Sequence, residues 1–312
     1  MPQEELLRRT FRLVSRNPLL WVLALLAGEG SGGSGFSSSG SSFTGGRGSS
    51  DAQAALAAQQ LAGLGTWLLA NLAWIATLVL ALLLVGLVVS CLATGALYRA
   101  QTALDAGLPF GTGTALAGAA ESFWRVLGLR FLVFAVGLLI YSLLGGFTVF
   151  MGMAGGPSAL AIAGLIDASF LLFLGLLALV AWPVLTLAGR LVVLEGRAPL
   201  AALREGLAML ARRPGRVALT AGISIALGIA VGVVFSIVDT LVAIPFIGPV
   251  NDAAATLDLA RIWTALVPLL VVLVPVSTAL GAVAGSFYST YWTLSYMALR
   301  LESQASSTAT TA

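Results

Sequence analysis

Lysine and histidine are absent from this chain, and cysteine occurs once. Each absence closes a class of chemistry. Without lysine no Gly-rich phosphate loop of the Gly-Lys-Ser/Thr type can be built. Without histidine there is no His-ligated zinc, no imidazole base and no Ser-His-Asp triad. A lone Cys91 forbids an intrachain disulfide. It lies inside an apolar run, where a thiol is a small packing residue. Charge is scarce as well: 9% of residues are charged, against roughly 25% in a soluble domain. No catalytic, metal-binding or cofactor-binding constellation is legible, so a non-enzymatic protein without a cofactor is expected.

What is present is apolar. Hydrophobic residues make up 59% of the chain, and mean hydropathy is +1.00. So little polar side chain cannot cover a surface in water, so the chain is read as an integral membrane protein. Apolar runs place six spans at about 14–28, 67–97, 130–153, 162–187, 217–244 and 262–299. The first is short for a bilayer core of roughly 30 Å. A secretory signal has similar ingredients, but an amphipathic lead-in at 2–16 argues for an anchor. Residues 29–51 are Gly/Ser-rich and expected as a flexible loop, and 52–64 as a short helix. Pro183 is expected to kink the fourth span, and Pro245 and Pro249 to end the fifth. Gly155-Gly156-Pro157 reads as a turn. The polar tail 303–312 is expected to be disordered.

Basic residues fix the orientation. All 16 are arginine; Arg47 and Arg261 fall on one side of a six-span layout, and the remainder on the other. The positive-inside rule then puts both termini in the cytoplasm of a multi-pass cell-membrane protein. Arginine as the sole cation, with abundant Ala, Gly and Leu, associates with a GC-rich prokaryotic source. Each odd span is introduced by an amphipathic segment with an arginine at the join: Arg16, Arg130 and Arg216. The fold class is therefore all-α: a polytopic bundle of three helical hairpins, each preceded by a cytoplasmic amphipathic helix.

The most informative stretch is 190–236. Arg190 and Glu195 are expected as an ion pair fixing the loop. Glu195-Gly196-Arg197 is a polar joint, and Pro199 opens a helix striped by Leu200, Leu203, Leu207 and Leu210. Arg204, Arg212, Arg213 and Arg216 make it basic. A leucine stripe beside excess arginine suits an anionic leaflet, so Glu195, Arg197, Arg204, Arg212, Arg213 and Arg216 are the candidate surface for membrane lipids or a membrane or cytoplasmic protein partner. Nothing points to nucleic acid. A second pattern is small residues every four positions: Ser224, Gly228, Gly232 and Ser236, then Ser277, Gly281, Gly285 and Ser289. Such ladders allow close helix approach in lipid. Asp167 and Asp239 lie near the outer boundary, in solvated or helix-end positions. Trp67 and Trp263, with Trp21, Trp124 and Trp292, fit two aromatic belts.

The segment around Glu195, Gly196, Ala202, Leu203, Arg204 and Arg212-Arg213 resembles an element of bacterial and archaeal six-span membrane proteins. That group is similar to the membrane domain fused to glycerophosphodiester phosphodiesterases. The resemblance implies a membrane domain alone, since the catalytic domain of that family needs histidines this chain lacks. A transporter or permease subunit for a small or amphiphilic solute is the alternative, with Pro183, Pro268 and Pro275 as bends for moving helices.

Overall fold

The computed structural model describes residues 3–29, 62–63, 65–67, 69–256 and 259–311. Its main helices are α1 (Gln3–Arg16), α2 (Pro18–Ala27), α3 (Leu72–Asp105), α4 (Thr112–Leu194), α5 (Pro199–Arg212), α6 (Pro214–Thr256) and α7 (Leu259–Thr311). No strand occurs among the described residues. The expected loop lies outside them from residue 30 onward, as does most of the expected helix at 52–64.

Five helical stretches are long and apolar enough to cross a membrane: Leu72–Asp105, Gly113–Met153, Gly164–Leu194, Pro214–Ala253 and Ala260–Glu302. Their apolar windows are only 6% to 17% buried. Leu82, Phe131 and Leu172 are each more than 60% exposed. Apolar surface on that scale is stable only against hydrocarbon. The chain is an all-α integral membrane protein.

Prolines decide where the amphipathic segments separate from the spans. Pro18 and Pro214 occupy the first turns of α2 and α6, directly after Asn17 and Arg213. Each has no N–H to lend the preceding helix, so the chain re-starts there. Nothing comparable stands near Arg130. The second amphipathic segment therefore runs into its span as one helix, contrary to the expected three-fold pattern. The same break shortens the first apolar run to α2, ten residues and about 15 Å. Pro245 and Pro249 do not end α6, which continues to Thr256. Apolar helices tolerate proline because neighbouring groups re-satisfy the freed carbonyls. α7 likewise runs to Thr311, into the tail expected to be disordered. No glycine or proline follows Gly285 to stop it.

Thr148 donates a hydrogen bond to Asp167, 19 positions away. A straight helix would hold them about 28 Å apart. The chain therefore reverses direction inside α4, around the Gly155-Gly156-Pro157 sequence.

The chain divides into two compact units. The first comprises Met1–Ser15, Cys91–Ile223 and Ser289–Ala312. Its core is built from Leu97, Leu187, Leu191, Val192, Ala202, Val217, Tyr291 and Trp292, all at most 1% exposed. α1 is tied in by a hydrogen bond from Tyr291 to Gln3 (2.9 Å) and by Arg9–Asp105 (3.8 Å). The second unit comprises Arg16–Ser90 and Ser224–Tyr288. Within it Ser90 donates to the carbonyl of Ala27 (2.7 Å), joining α2 to α3. α6 and α7 are joined there by Ser277 donating to Asp239 (2.8 Å) and Tyr288 donating to the Ser224 carbonyl.

Candidate functional site

The polar joint after α4 depends on a glycine. Gly196 has φ +68°, the left-handed region that side chains other than glycine rarely adopt. A Cβ there would also lie 2.8 Å from a guanidinium nitrogen of Arg125. This tight corner places Glu195 against the C-terminal half of α7. Its Oε1 accepts from Arg300 Nε (2.6 Å) and from the Tyr296 hydroxyl. Its Oε2 accepts from Arg300 Nη2 and from Arg197 Nε (3.1 Å). Glu205 adds a second carboxylate, 3.6 Å from Arg300 and 3.9 Å from Arg197. Burial alone would raise the Glu195 carboxyl. The hydrogen bonds from Arg300, Tyr296 and Arg197, with the Arg300 charge, outweigh it and hold the carboxyl below its usual value.

α5 packs by its small side. Ala202 and Gly206 are its buried residues. A Cβ on Gly206 would sit 3.0 Å from the carbonyl oxygen of Val184, so glycine lets α5 approach α4 closely without a shift of that backbone. Leu200 and Leu207 are left 60% and 58% exposed, with Arg204 and Arg212 exposed beside them. Arg213 bonds Glu302 at 2.7 Å and Arg216 bonds the same carboxylate. Arg213, Gly215, Arg216 and Glu302 line an open groove. Thus of the six candidate surface residues, Glu195 and Arg197 join one ion network, Arg213 and Arg216 share Glu302, and Arg204 and Arg212 stay at the surface.

Arg190 and Glu195 do not pair, contrary to expectation. Five residues apart on a helix, they project about 140° apart. Arg190 is 1% exposed. Its Nε donates to Thr293 Oγ1 (3.2 Å), Nη1 to the Thr186 carbonyl (2.7 Å) and Nη2 to the Ser289 carbonyl (2.9 Å). Its guanidinium carbon lies 4.6 Å from the Tyr98 ring centroid. Thr293 Oγ1 is also 2.7 Å from Gln101 Oε1, as donor. Trp292, expected in an aromatic belt, is buried edge-to-face against Trp182 at 5.4 Å. Trp67, Trp124 and Trp263 are exposed.

The small-residue ladders divide. Ser224 is buried, and a Cβ on Gly228 would meet the Tyr288 hydroxyl at 2.9 Å. Gly232 and Ser236 are exposed, and a Cβ on Gly232 would meet nothing within 4 Å. Four residues turn a helix by 400°, so a four-residue ladder drifts about 40° per step. By its third and fourth members it has left the contact face. Gly281, Gly285 and Ser289 are buried and Ser277 is half-buried on Asp239. Asp167 and Asp239, expected in solvated or helix-end positions, are each half-buried and bonded to a hydroxyl.

Sequence reasoning missed Arg300, Tyr296, Gln101 and Thr293. Tyr296 and Arg300 are four apart at the basic end of the last span, and that spacing was the available signal. Gln101 and Thr293 looked like ordinary helix residues. No family model, curated protein or solved structure matches the chain.

Proposed function

We propose that this is a non-enzymatic membrane protein of six crossings, with both termini in the cytoplasm, whose α5 face engages anionic lipid headgroups. The observation that carries the reading is the way α5 packs: small residues inward, Leu200 and Leu207 outward, Arg204 and Arg212 alongside. A helix so arranged suits the headgroup layer, leucines towards acyl chains and guanidiniums at phosphates. The crossing number is supported by parity. Gln3 bonds Tyr291 and Arg9 pairs with Asp105, so α1 lies beside the part of α3 that carries Arg99 and the part of α7 that leads to Arg300. A crossing between α1 and Leu72 accords with that placement, and α2 is the apolar helix described in this interval. Membership of the six-span group resembling phosphodiesterase membrane domains belongs to the same proposal, and rests on the residues around Glu195 and Arg204.

The test uses the full chain in vesicles. An environment-sensitive dye on Ala211→Cys, in a Cys91→Ala background, reports the surroundings of α5. Anionic lipid should shift its emission to the blue relative to phosphatidylcholine, and salt should reverse the shift over a Debye length of roughly 10 Å at 0.1 M. Arg204→Gln with Arg212→Gln should remove the salt dependence. Emission indifferent to lipid charge and salt would reduce the basic face to a topology signal.

Transport is the second reading. Asp167 and Asp239 favour it, because half-buried carboxylates in apolar helices mark solute or proton paths. Solute flux abolished by Asp239→Asn but preserved in Arg204→Gln would move the assignment there.

A further inference from the structure

The first unit buries a guanidinium without burying a carboxylate beside it. Arg190 is sealed, and its three acceptors are a threonine hydroxyl and two backbone carbonyls, all neutral. Among the described residues no Asp or Glu pairs with it. Arginine carries five N–H groups and does not give up its proton in proteins. Three donate here, which leaves two N–H groups and a whole positive charge in a dry interior. A buried charge is stable only when it is paired. The Tyr98 ring face answers part of that charge but brings no negative one.

The neighbouring side chains add donors. Gln101 Nε2, Ser289 Oγ and Trp292 Nε1 are buried and without a hydrogen-bond partner. Their residues are 0%, 1% and 1% exposed. Helix geometry sets their residues on the faces that adjoin Arg190. Ser289, Trp292 and Thr293 share one face of α7 at i, i+3 and i+4, the face that receives the guanidinium. Tyr98 and Gln101 share a face of α3 at i and i+3; the first lies under the guanidinium and the second bonds Thr293. A cluster holding a full positive charge and surplus N–H and O–H donors is complementary to an anion. A water molecule would accept some of these bonds but would leave the charge unanswered.

We propose that Arg190, Gln101, Ser289 and Trp292 hold one small monovalent anion of halide size. Size follows from burial: the four residues that would hold the ion are each at most 1% exposed, which favours a small ion over a headgroup or a bulky polyanion. The anion neutralises Arg190 and cross-links α3, α4 and α7 of the first unit. This site is separate from the lipid face of α5 and stands whether or not that face binds lipid.

The test is thermal unfolding of the purified full-length protein in detergent. Chloride replaces gluconate at constant ionic strength, and sulfate serves as the third salt. Chloride should raise Tm saturably, by about 2–4 °C at levels well above its Kd. Bromide should act like chloride, and sulfate like gluconate. Gln101→Leu and Arg190→Met should flatten the chloride curve, while Arg212→Gln at the surface should keep it. Should Arg190→Met fail to fold, the wild-type salt series and Gln101→Leu still decide the matter. Equal Tm of the wild type in chloride and gluconate overturns the proposal. So does an equal rise in chloride and sulfate, or a chloride response kept in Gln101→Leu.

Discussion

Arg190 and Arg300 belong to the same unit and keep opposite company. Arg300 lies in the C-terminal part of α7 with a quarter of its side chain exposed, and faces two carboxylates, Glu195 and Glu205. Arg190 is buried and faces threonine, backbone carbonyl and a tyrosine ring. Both are arginines at the basic end of a span, and charge counting along the sequence treats them alike. What separates them is the helix face each occupies, and a charge in a dry interior responds to its partners far more strongly than one at the surface. The pair shows that net charge predicts sidedness but not which arginine is structural.

The largest effect should come from breaking the paired side of that comparison. Glu195→Ala removes an acceptor of charged hydrogen bonds from Arg300 and leaves Tyr296 and Arg197 short of the same partner. Loss of about 2–3 kcal/mol is expected. Arg190→Met, measured in gluconate, removes a charge that has no counter-charge from the protein, and should cost less than about 1 kcal/mol. Unfolding of both variants in detergent checks the order. Equal losses would mean that Arg190 has a partner that the fold does not reveal.

The same contrast governs what was legible beforehand. Hydropathy marked the five long apolar helices, because a bilayer demands length and composition and nothing finer. Proline at 18 and 214 carried a local signal for two helix starts that the hydropathy spans at 14–28 and 217–244 did not use. The joint at Glu195 was also visible, as a polar corner between apolar runs. Three things were not. The continuous helix through Arg130 was hidden because an arginine at a join looks the same whether or not the helix breaks. The company of Arg190 was hidden because Gln101 and Thr293 lie 89 and 103 positions away in sequence and carry no charge to announce them. The ladder on α6 was over-read, because a four-residue repeat departs from the 3.6-residue turn after two steps.

That last point supplies a sharper, smaller test, again with like residues in unlike places. Gly228→Leu should push the Tyr288 hydroxyl off the Ser224 carbonyl and destabilise the second unit by about 1–2 kcal/mol. Gly232→Leu points into open space and should be neutral or slightly stabilising, since leucine is the better helix former. Equal destabilisation by both would restore the full ladder as a contact face.

The smallest effect is the pH response of the Glu195 network. Its carboxyl is held below the ordinary glutamate value in the folded chain, burial being outweighed by hydrogen bonds from Arg300 and Tyr296. A group whose folded value is depressed stabilises the protein above the unfolded value, near 4.3 for glutamate. That stability is lost as pH falls through the folded value. The contribution is therefore complete at pH 7 and decays only below about pH 4. Glu195→Gln keeps the shape of the side chain and part of its hydrogen bonding but carries no titrating charge. The wild type should melt above this variant at neutral pH, and the gap should narrow below about pH 4, because protonation then makes the two side chains electrostatically alike. Arg190→Met gives the control: its gap to the wild type should not follow that curve, since no carboxylate titrates beside it among the described residues. A Glu195→Gln gap that stays constant from pH 7 down to pH 3.5 would show that the carboxylate acts through shape rather than charge, and that Arg300 is no better neutralised than Arg190.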